Sequence, residues 1–185
     1  MNTTKLRIAA LLVVVMAIGY SFTSLSKITI KGSDTMVILS QQWAEAYMKK
    51  HPETTIQVTG GGSGVGLAAL INGSTDIANS SRPIKPAELE KIKAKYNKSG
   101  VEIACAKDGL SVFLNKGNSV SELTVQQIGD IFSGKITNWK QVGGVDAKIQ
   151  LYGRESSSGT FEFFKEHVVK TDFSPACQTL PGTAA

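Results

Sequence analysis

Residues 27–50, KITIKGSDTMVILSQQWAEAYMKK, carry the pattern that decides the fold. Lys27–Lys31 alternates polar and apolar side chains, which predicts a short β-strand. A polar turn, Gly32–Thr35, follows the strand and offers side chains that can cap a helix. The helix is predicted over Met36–Lys50, because a histidine and a proline end the pattern there. The stretch is therefore a strand–turn–helix unit with a polar turn at the carboxyl end of the strand.

The same unit recurs along the chain. Two additional strands, Val101–Ala106 and Leu110–Asn115, are predicted around a tight turn, and Thr124 with Gln127 forms a capping box that begins a helix. Strands that alternate with helices favour an α/β fold with largely parallel sheets. The recurring strands that precede polar turns are Thr54–Thr59, Thr75–Asn79 and Lys148–Tyr152.

Residues 1–26 have the layout of a secretory signal peptide. Lys5 and Arg7 precede an almost wholly apolar run from Ile8 to Tyr20, and a stretch rich in serine and threonine follows. The apolar run is shorter than a comfortable membrane span. We therefore expect export to the periplasm with cleavage before Lys27, and an uncleaved membrane anchor is the alternative.

Composition and charge indicate a globular protein and no nucleic-acid partner. The 185 residues suffice for one sizeable domain or two small ones, and 42% of them are hydrophobic. Two of the 20 basic residues lie within the first 26, so the remainder carries 18 basic against 15 acidic residues, a net charge of only +3. Lysines such as Lys91, Lys93 and Lys95 lie on a helix face without the interleaved aromatic residues that base stacking needs.

The chain has two cysteines, Cys105 and Cys177. An exported protein can form disulfides, and an even number of cysteines permits one here. Their wide separation makes pairing depend on the fold. A disulfide and two free thiols are therefore equally compatible with the sequence.

Four loops have a composition that suits a small anion. Each follows a predicted strand and precedes a helix or helical turn, whose N-terminus offers unpaired N–H groups and the positive end of the helix dipole. Hydroxyls add donors, glycines let the backbone approach, and an arginine can bind two oxygens of a tetrahedral anion. Any single loop of this kind also suits an ordinary turn. The prediction therefore rests on all four together: Gly32–Thr35, Gly62–Gly64, Ser80–Arg82 and Arg154–Thr160.

The sequence shows no catalytic motif. His51 and His167 are the only histidines, and neither belongs to a cluster with metal-ligand spacing. No nucleophile stands beside a base, and Gly64-x-Gly66 fits a dinucleotide fingerprint only superficially. We therefore expect a binding protein that is not an enzyme and has no catalytic residue, no cofactor and no metal. An exported phosphatase is the alternative from a different class.

Five motifs together resemble the PstS family of phosphate-binding proteins, the extracytoplasmic receptors of phosphate ABC transporters. The resemblance runs in order from Lys27 to the C-terminus and implies a type II periplasmic-binding-protein fold. Its two α/β lobes would be residues 27–106 and 107–185, with a ligand cleft between them. The motifs are Gly32–Thr35, Gly62–Gly64, Asp76–Pro83, Ala106–Gly109 and Arg154–Thr160.

The resemblance also implies which residues bind phosphate. It further implies delivery of the anion to the membrane permease of the ABC importer, and we expect a monomer. A receptor for another oxyanion, such as sulfate or molybdate, is the alternative within this class. The implied phosphate ligands are Thr35, Met36 through its backbone N–H, Ser63, Ser81, Arg154, Ser158, Gly159 and Thr160.

This chain departs from the family pattern in two ways. Many members have an aspartate where Ser81 stands, and that aspartate accepts the proton of hydrogen phosphate and thereby rejects sulfate. Asp34 or Glu155 is the candidate for this acceptor here, and we expect phosphate to be preferred because the rest of the site matches. Family chains also continue well beyond residue 185, so we expect an incomplete second lobe.

Overall fold

The computed structural model describes residues 26–182. In its first sheet, which is built from the predicted strand–turn–helix units, the strand Ser26–Gly32 lies between the strands Thr54–Thr59 and Ile77–Asn79 and is parallel to both. Ile30 lies opposite Val58 on one side and Ile77 on the other. A 3-10 turn, Asp34–Met36, leads into the first helix. The elements are β1 (Ser26–Gly32), α1 (Val37–Lys50), β2 (Thr54–Thr59), α2 (Ser63–Asn72), β3 (Ile77–Asn79) and α3 (Pro86–Tyr96).

Parallel pairing brings the polar turns of this sheet to one edge. The strands run in the same direction, so their carboxyl ends lie side by side, where α/β proteins commonly bind ligands. Ser33 donates its backbone N–H to the carbonyl oxygen of Asn79 at 2.9 Å, and Gly62 donates to that of Gly32 at 3.0 Å. Three predicted loops therefore meet at this edge.

Gly66, in the glycine-rich stretch after β2, is needed because a helix packs closely on a strand at this position. It lies on α2, and a side chain at this position would overlap the carbonyl oxygen of Lys31 and lie 2.5 Å from the Cα of Gly32. The glycine therefore allows α2 to pack directly on β1. This is a packing requirement of the strand and helix, and it accounts for the superficial likeness to a dinucleotide fingerprint.

The second sheet has two parallel strands, with Tyr152 paired to Gln178. Its core contains buried Ile131, Ile149 and Leu151, and partly buried Phe132 and Trp139 pack against them. A 3-10 turn, Trp139–Val142, and a π-helical turn, Lys165–Val169, complete the described structure. The elements are α4 (Val125–Phe132), β4 (Tyr152–Arg154), α5 (Gly159–Phe164) and β5 (Gln178–Leu180).

The capping box predicted for α4 is confirmed. The backbone N–H of Gln127 donates to the hydroxyl of Thr124 at 3.1 Å, and the backbone N–H of Thr124 donates to the side-chain oxygen of Gln127 at 2.8 Å. Both contacts satisfy N–H groups that have no partner inside the helix.

The two strands predicted between residues 101 and 115 are wrong. This segment has no regular secondary structure, and Val101, Ile103 and Phe113 are exposed. An alternating apolar pattern becomes a strand only when a neighbouring strand pairs with its backbone and covers one face. Within residues 26–182, no strand pairs with this segment.

The strand predicted over Lys148–Tyr152 is also wrong in its position. Lys148 forms only an isolated bridge with Asn138, and the strand β4 begins at Tyr152. Ile149 and Leu151 are nevertheless buried. The apolar pattern here therefore reflects burial in the core beside β4.

The signal-peptide prediction falls almost wholly on residues 1–25, which lie outside the described residues. Across residues 26–182, no helix has both the length and the apolar character needed to cross a membrane.

Both cysteines have free thiols. Cys105 is exposed, whereas Cys177 is partly buried against the core of the second sheet. Burial raises the pKa of the Cys177 thiol, because the thiolate would lose hydration there. The structure thus favours two free thiols over the disulfide that the sequence also permitted.

Candidate functional site

Four hydroxyl side chains form a connected cluster at the carboxyl edge of the first sheet. This hydroxyl cluster consists of Ser33, Thr35, Ser63 and Ser81. The Oγ of Ser33 lies 2.7 Å from the Oγ1 of Thr35 and donates to the Oγ of Ser81 at 3.0 Å. Ser63 Oγ lies 3.3 Å from Ser81 Oγ and also accepts the backbone N–H of Ser81 at 3.1 Å. Three separate loops therefore present their hydroxyls at one place.

The backbone positions these hydroxyls firmly. Ser63 is the first residue of α2 and is fully buried, and Ser33 is also buried at the end of β1. Gly62 precedes α2 with φ of +91°, a conformation that side chains disfavour. A side chain on Gly62 would in addition lie 2.6 Å from the carbonyl oxygen of Ser157. This glycine therefore both turns the chain and admits the next loop.

The N-terminus of α5 lies directly against the hydroxyl cluster. Ser158 caps this helix, because its Oγ accepts the backbone N–H of Phe161 at 3.3 Å. A side chain on Gly159 would overlap Ser63 Oγ and lie 2.7 Å from Ser81 Oγ. The first turn of α5 can approach the cluster this closely only because residue 159 has no side chain.

Arg154 reaches the same region from the end of β4. Its NH2 group lies 3.2 Å from Oδ2 of Asp34 and 3.4 Å from Oε1 of Glu155. The Arg154 side chain is 10% exposed, and its Nε is buried without a hydrogen-bond partner among residues 26–182. Arg154 therefore keeps a buried donor free while Asp34 holds it beside the hydroxyl cluster.

Arg82 also lies beside the cluster, but its guanidinium forms ion pairs with carboxylates of the protein. Its two terminal nitrogens donate to the two carboxylate oxygens of Glu88 at 2.9 Å and 2.8 Å. Burial raises the pKa of Glu88, but the hydrogen bonds and charges of Arg82 and Lys85 outweigh it and hold that pKa below its usual value. The Nε of Arg82 lies 2.6 Å from Oε2 of Glu162. The motif that contains Arg82 suggests an anion ligand, whereas its contacts show an arginine paired within the protein.

The structure places most of the sequence-predicted ligands together. Thr35, Ser63 and Ser81 are members of the hydroxyl cluster, and the first turn of α5 touches it through Gly159. The backbone N–H of Met36 donates to the carbonyl oxygen of Ser33 at 3.2 Å, so this N–H group is already hydrogen-bonded within the protein. Of the three remaining candidates, Arg154 lies beside Asp34, and two flank Gly159, Ser158 as the helix cap and Thr160 in the first helical turn.

Ser33 is the residue that the predicted ligand set omitted. It belongs to the loop Gly32–Thr35, yet its hydroxyl links two other members of the hydroxyl cluster. The position of Ser33 directly after β1, at the carboxyl end of a parallel strand, is the sequence feature that could have identified it. Across residues 26–182, no group of three or more His, Cys, Asp or Glu side chains lies close enough together to hold a metal ion.

Comparison with known proteins assigns the family. Residues 21–183 match the family model described as the PBP superfamily domain. The chain belongs to the PBP superfamily. The α/β architecture agrees with this membership, and the resemblance to PstS seen in the sequence is confirmed by its relatives.

Two curated relatives are phosphate-binding proteins called PstS. The chain is 36% identical over 167 residues to PstS of Pseudomonas aeruginosa strain PAO1, and the aligned region covers 83% of this chain and 52% of the relative. The chain is 37% identical over 142 residues to PstS of Bacillus subtilis, and the aligned region covers 77% of this chain and 46% of the relative. The chain thus spans about half the length of these relatives. Both are named for binding phosphate.

Two solved structures show the same likeness. One is a phosphate ABC transporter substrate-binding protein with bound phosphate from Clostridium perfringens, with 34% identity and a TM-score of 0.75 over 85% of this chain and 63% of that one. The other is an ABC-type phosphate transport receptor from Vibrio cholerae, with 34% identity and a TM-score of 0.63 over 86% of this chain and 64% of that one. The chain therefore shares the fold of the matched part of these two structures.

Replacing Gly159 by alanine tests the contact between α5 and the hydroxyl cluster. The new methyl group must displace the Ser63 and Ser81 hydroxyls, so we expect Gly159→Ala to lower the free energy of unfolding by about 1–3 kcal/mol. Gly64→Ala is the matched control, because a methyl group there would make only an ordinary contact, 3.5 Å from the Ser157 carbonyl oxygen. Urea denaturation of both variants is the measurement. Equal stabilities would show that α5 does not pack against the cluster.

Proposed function

We propose that this chain binds inorganic phosphate at the place where the hydroxyl cluster, Arg154 and the N-terminus of α5 converge. The observation that supports the proposal is the close approach of Gly159 to Ser63 and Ser81, which brings loops of the two sheets together. The names of the relatives support phosphate as the ligand.

The chemistry of the converging groups supports an oxyanion. Burying an anion is costly unless hydrogen bonds and opposite charge replace its hydration. Thr35, Ser63 and Ser81 supply hydroxyl donors, and Arg154 supplies charge together with a buried N–H that lacks a partner among the described residues. Ser158, Gly159 and Thr160 begin α5, where backbone N–H groups and the helix dipole favour negative charge. The backbone N–H of Met36 would also bind the anion if its hydrogen bond to the Ser33 carbonyl oxygen were replaced by one to an anion oxygen.

Glu155 is our candidate for the group that selects phosphate over sulfate. Hydrogen phosphate carries a proton that can be donated to an acceptor, whereas sulfate carries none. Both carboxylate oxygens of Asp34 are engaged, one by the N–H of Gly61 at 2.8 Å and the other by Arg154. Oε2 of Glu155 is buried and accepts no hydrogen bond from residues 26–182. Glu155 would therefore accept the proton of hydrogen phosphate and repel sulfate.

We further propose the biological setting of this binding. The chain would be exported to the periplasm, bind phosphate as a monomer without catalysing a reaction, and deliver it to the membrane permease of an ABC importer. Its two lobes would be residues 27–106 and 107–185, with the anion between them favouring a closed arrangement. The description of one structural relative as an ABC-type phosphate transport receptor supports this setting.

Removing the charge of Arg154 tests the proposed phosphate site. We expect Arg154→Gln to weaken phosphate binding about 30- to 100-fold, because the anion loses a charge-assisted pair of hydrogen bonds. Lys91→Gln removes the same charge from the exposed face of α3 and should leave binding unchanged. Isothermal titration with phosphate measures both. The proposal fails if the unaltered chain binds no phosphate, or if the two variants bind it equally.

Competition between phosphate and sulfate tests the role of Glu155. We expect the unaltered chain to prefer phosphate, and Glu155→Gln to reduce that preference about tenfold, because the amide can donate to sulfate. Glu166→Gln makes the same substitution at an exposed position and serves as the control. Displacement titrations with sulfate give the ratio of affinities. A ratio that is unchanged by Glu155→Gln would assign selectivity to another residue.

A further inference from the structure

A cluster of four charged side chains connects α5 to the loop and helix that follow β3. We call it the ionic clasp, and it consists of Arg82, Lys85, Glu88 and Glu162. Oε2 of Glu162 lies 2.6 Å from Nε of Arg82 and 2.7 Å from Nζ of Lys85. Arg82 in turn binds Glu88 through two hydrogen bonds. The proposed phosphate ligands do not include any of these four residues.

Three of the four side chains in the clasp are mostly shielded from solvent. The side chain of Arg82 is 6% exposed and that of Glu162 is 26% exposed, whereas Lys85 is half-exposed. Charges that are partly buried are screened by salt less than surface charges are. The two positive and two negative groups balance, so the cluster holds no excess charge that would itself require an anion.

Glu162 is the member that joins the two sides. Arg82, Lys85 and Glu88 lie within one stretch that leads from β3 into α3, and Glu162 lies on α5 beyond the second sheet's β4. The contact between Arg82 Nε and Glu162 is close but not directed as a hydrogen bond, so it acts through charge. Loss of the Glu162 charge would therefore release α5 while the Arg82–Glu88 pair remained in place.

Both ends of this contact adjoin the proposed phosphate site. Arg82 directly follows Ser81, and the backbone N–H of Glu162 donates to the carbonyl oxygen of Ser158 at 3.2 Å. A shift of Glu162 therefore moves the helix N-terminus that contacts Ser63 and Ser81.

We propose that Glu162, through Arg82 and Lys85, is a positioning residue that holds α5 against the hydroxyl cluster and thereby sets the lifetime of bound phosphate. This inference rests on the proposed function of the site. Without the clasp, the N-terminus of α5 separates more readily from the Ser81 loop, and the anion leaves through that opening. The effect falls mainly on the dissociation rate, as it does for most changes that act after a complex has formed.

The first measurement is phosphate dissociation from Glu162→Gln, followed by stopped flow. We expect dissociation about tenfold faster than in the unaltered chain. Glu162→Asp keeps the charge and should restore most of the lifetime, and Lys85→Gln removes one of the two cations and should accelerate dissociation about threefold. Glu166→Gln, on the π-helical turn, should have no effect. If Glu162→Gln does not fold, the Asp and Lys85 variants decide the matter alone.

The second measurement needs no phosphate. Hydrogen exchange of the α5 backbone amides should be faster in Glu162→Gln than in the unaltered chain or in Glu166→Gln. If the unaltered chain binds no phosphate, the proposed function fails, and this exchange experiment still tests the clasp. Unchanged exchange in Glu162→Gln would overturn the clasp. Faster exchange with an unchanged phosphate lifetime would overturn the positioning role.

Discussion

The backbone of Gly159 lies against the hydroxyls of Ser63 and Ser81, and the candidate site depends on this close approach. The first sheet brings three loops to one edge through parallel pairing, but the hydroxyls there are neutral, and carboxylates of Glu88 and Glu162 already pair with the nearby Arg82. The fourth loop adds a helix N-terminus and the charge of Arg154. Hydroxyls without charge bind an anion weakly, and an isolated buried arginine is costly. Because Gly159 has no side chain, the hydroxyls and the first turn of α5 lie close enough together to form one candidate site with both kinds of group.

The two arginines near this site differ in what surrounds them. Arg82 faces two carboxylates, Glu88 and Glu162, and its terminal nitrogens are hydrogen-bonded. Arg154 contacts Asp34 and Glu155 through a single nitrogen and keeps its buried Nε free among the described residues. The Nε atoms of both arginines lack a directed hydrogen bond among residues 26–182, but that of Arg82 lies 2.6 Å from a carboxylate oxygen of Glu162, so its charge is paired there. Arg82 is therefore a structural residue in this arrangement, and Arg154 is the candidate anion ligand.

Local sequence signals predicted the parts of this fold that local interactions determine. The strand Thr54–Thr59 and the capping box at Thr124 follow from alternation and from side chains near a helix end. Residues 101–115 were mispredicted, because a strand also needs a pairing partner that no local pattern reveals. At the site, the Ser/Gly loops were predictable from composition. The pairing of Arg82 with Glu162 was not, because their 80 positions of separation are bridged only by the tertiary fold.

Binding of an anion between the two sets of loops can be tested by a crystal structure grown with arsenate, a tetrahedral homologue of phosphate that is located by its anomalous scattering. We expect a single arsenate between the hydroxyls of Ser63 and Ser81 on one side and Arg154 with the first turn of α5 on the other. The oxygens should lie within hydrogen-bonding distance, about 2.7–3.2 Å, of groups from both sides. An arsenate bound to one set of loops alone, or at another place in the molecule, would contradict it.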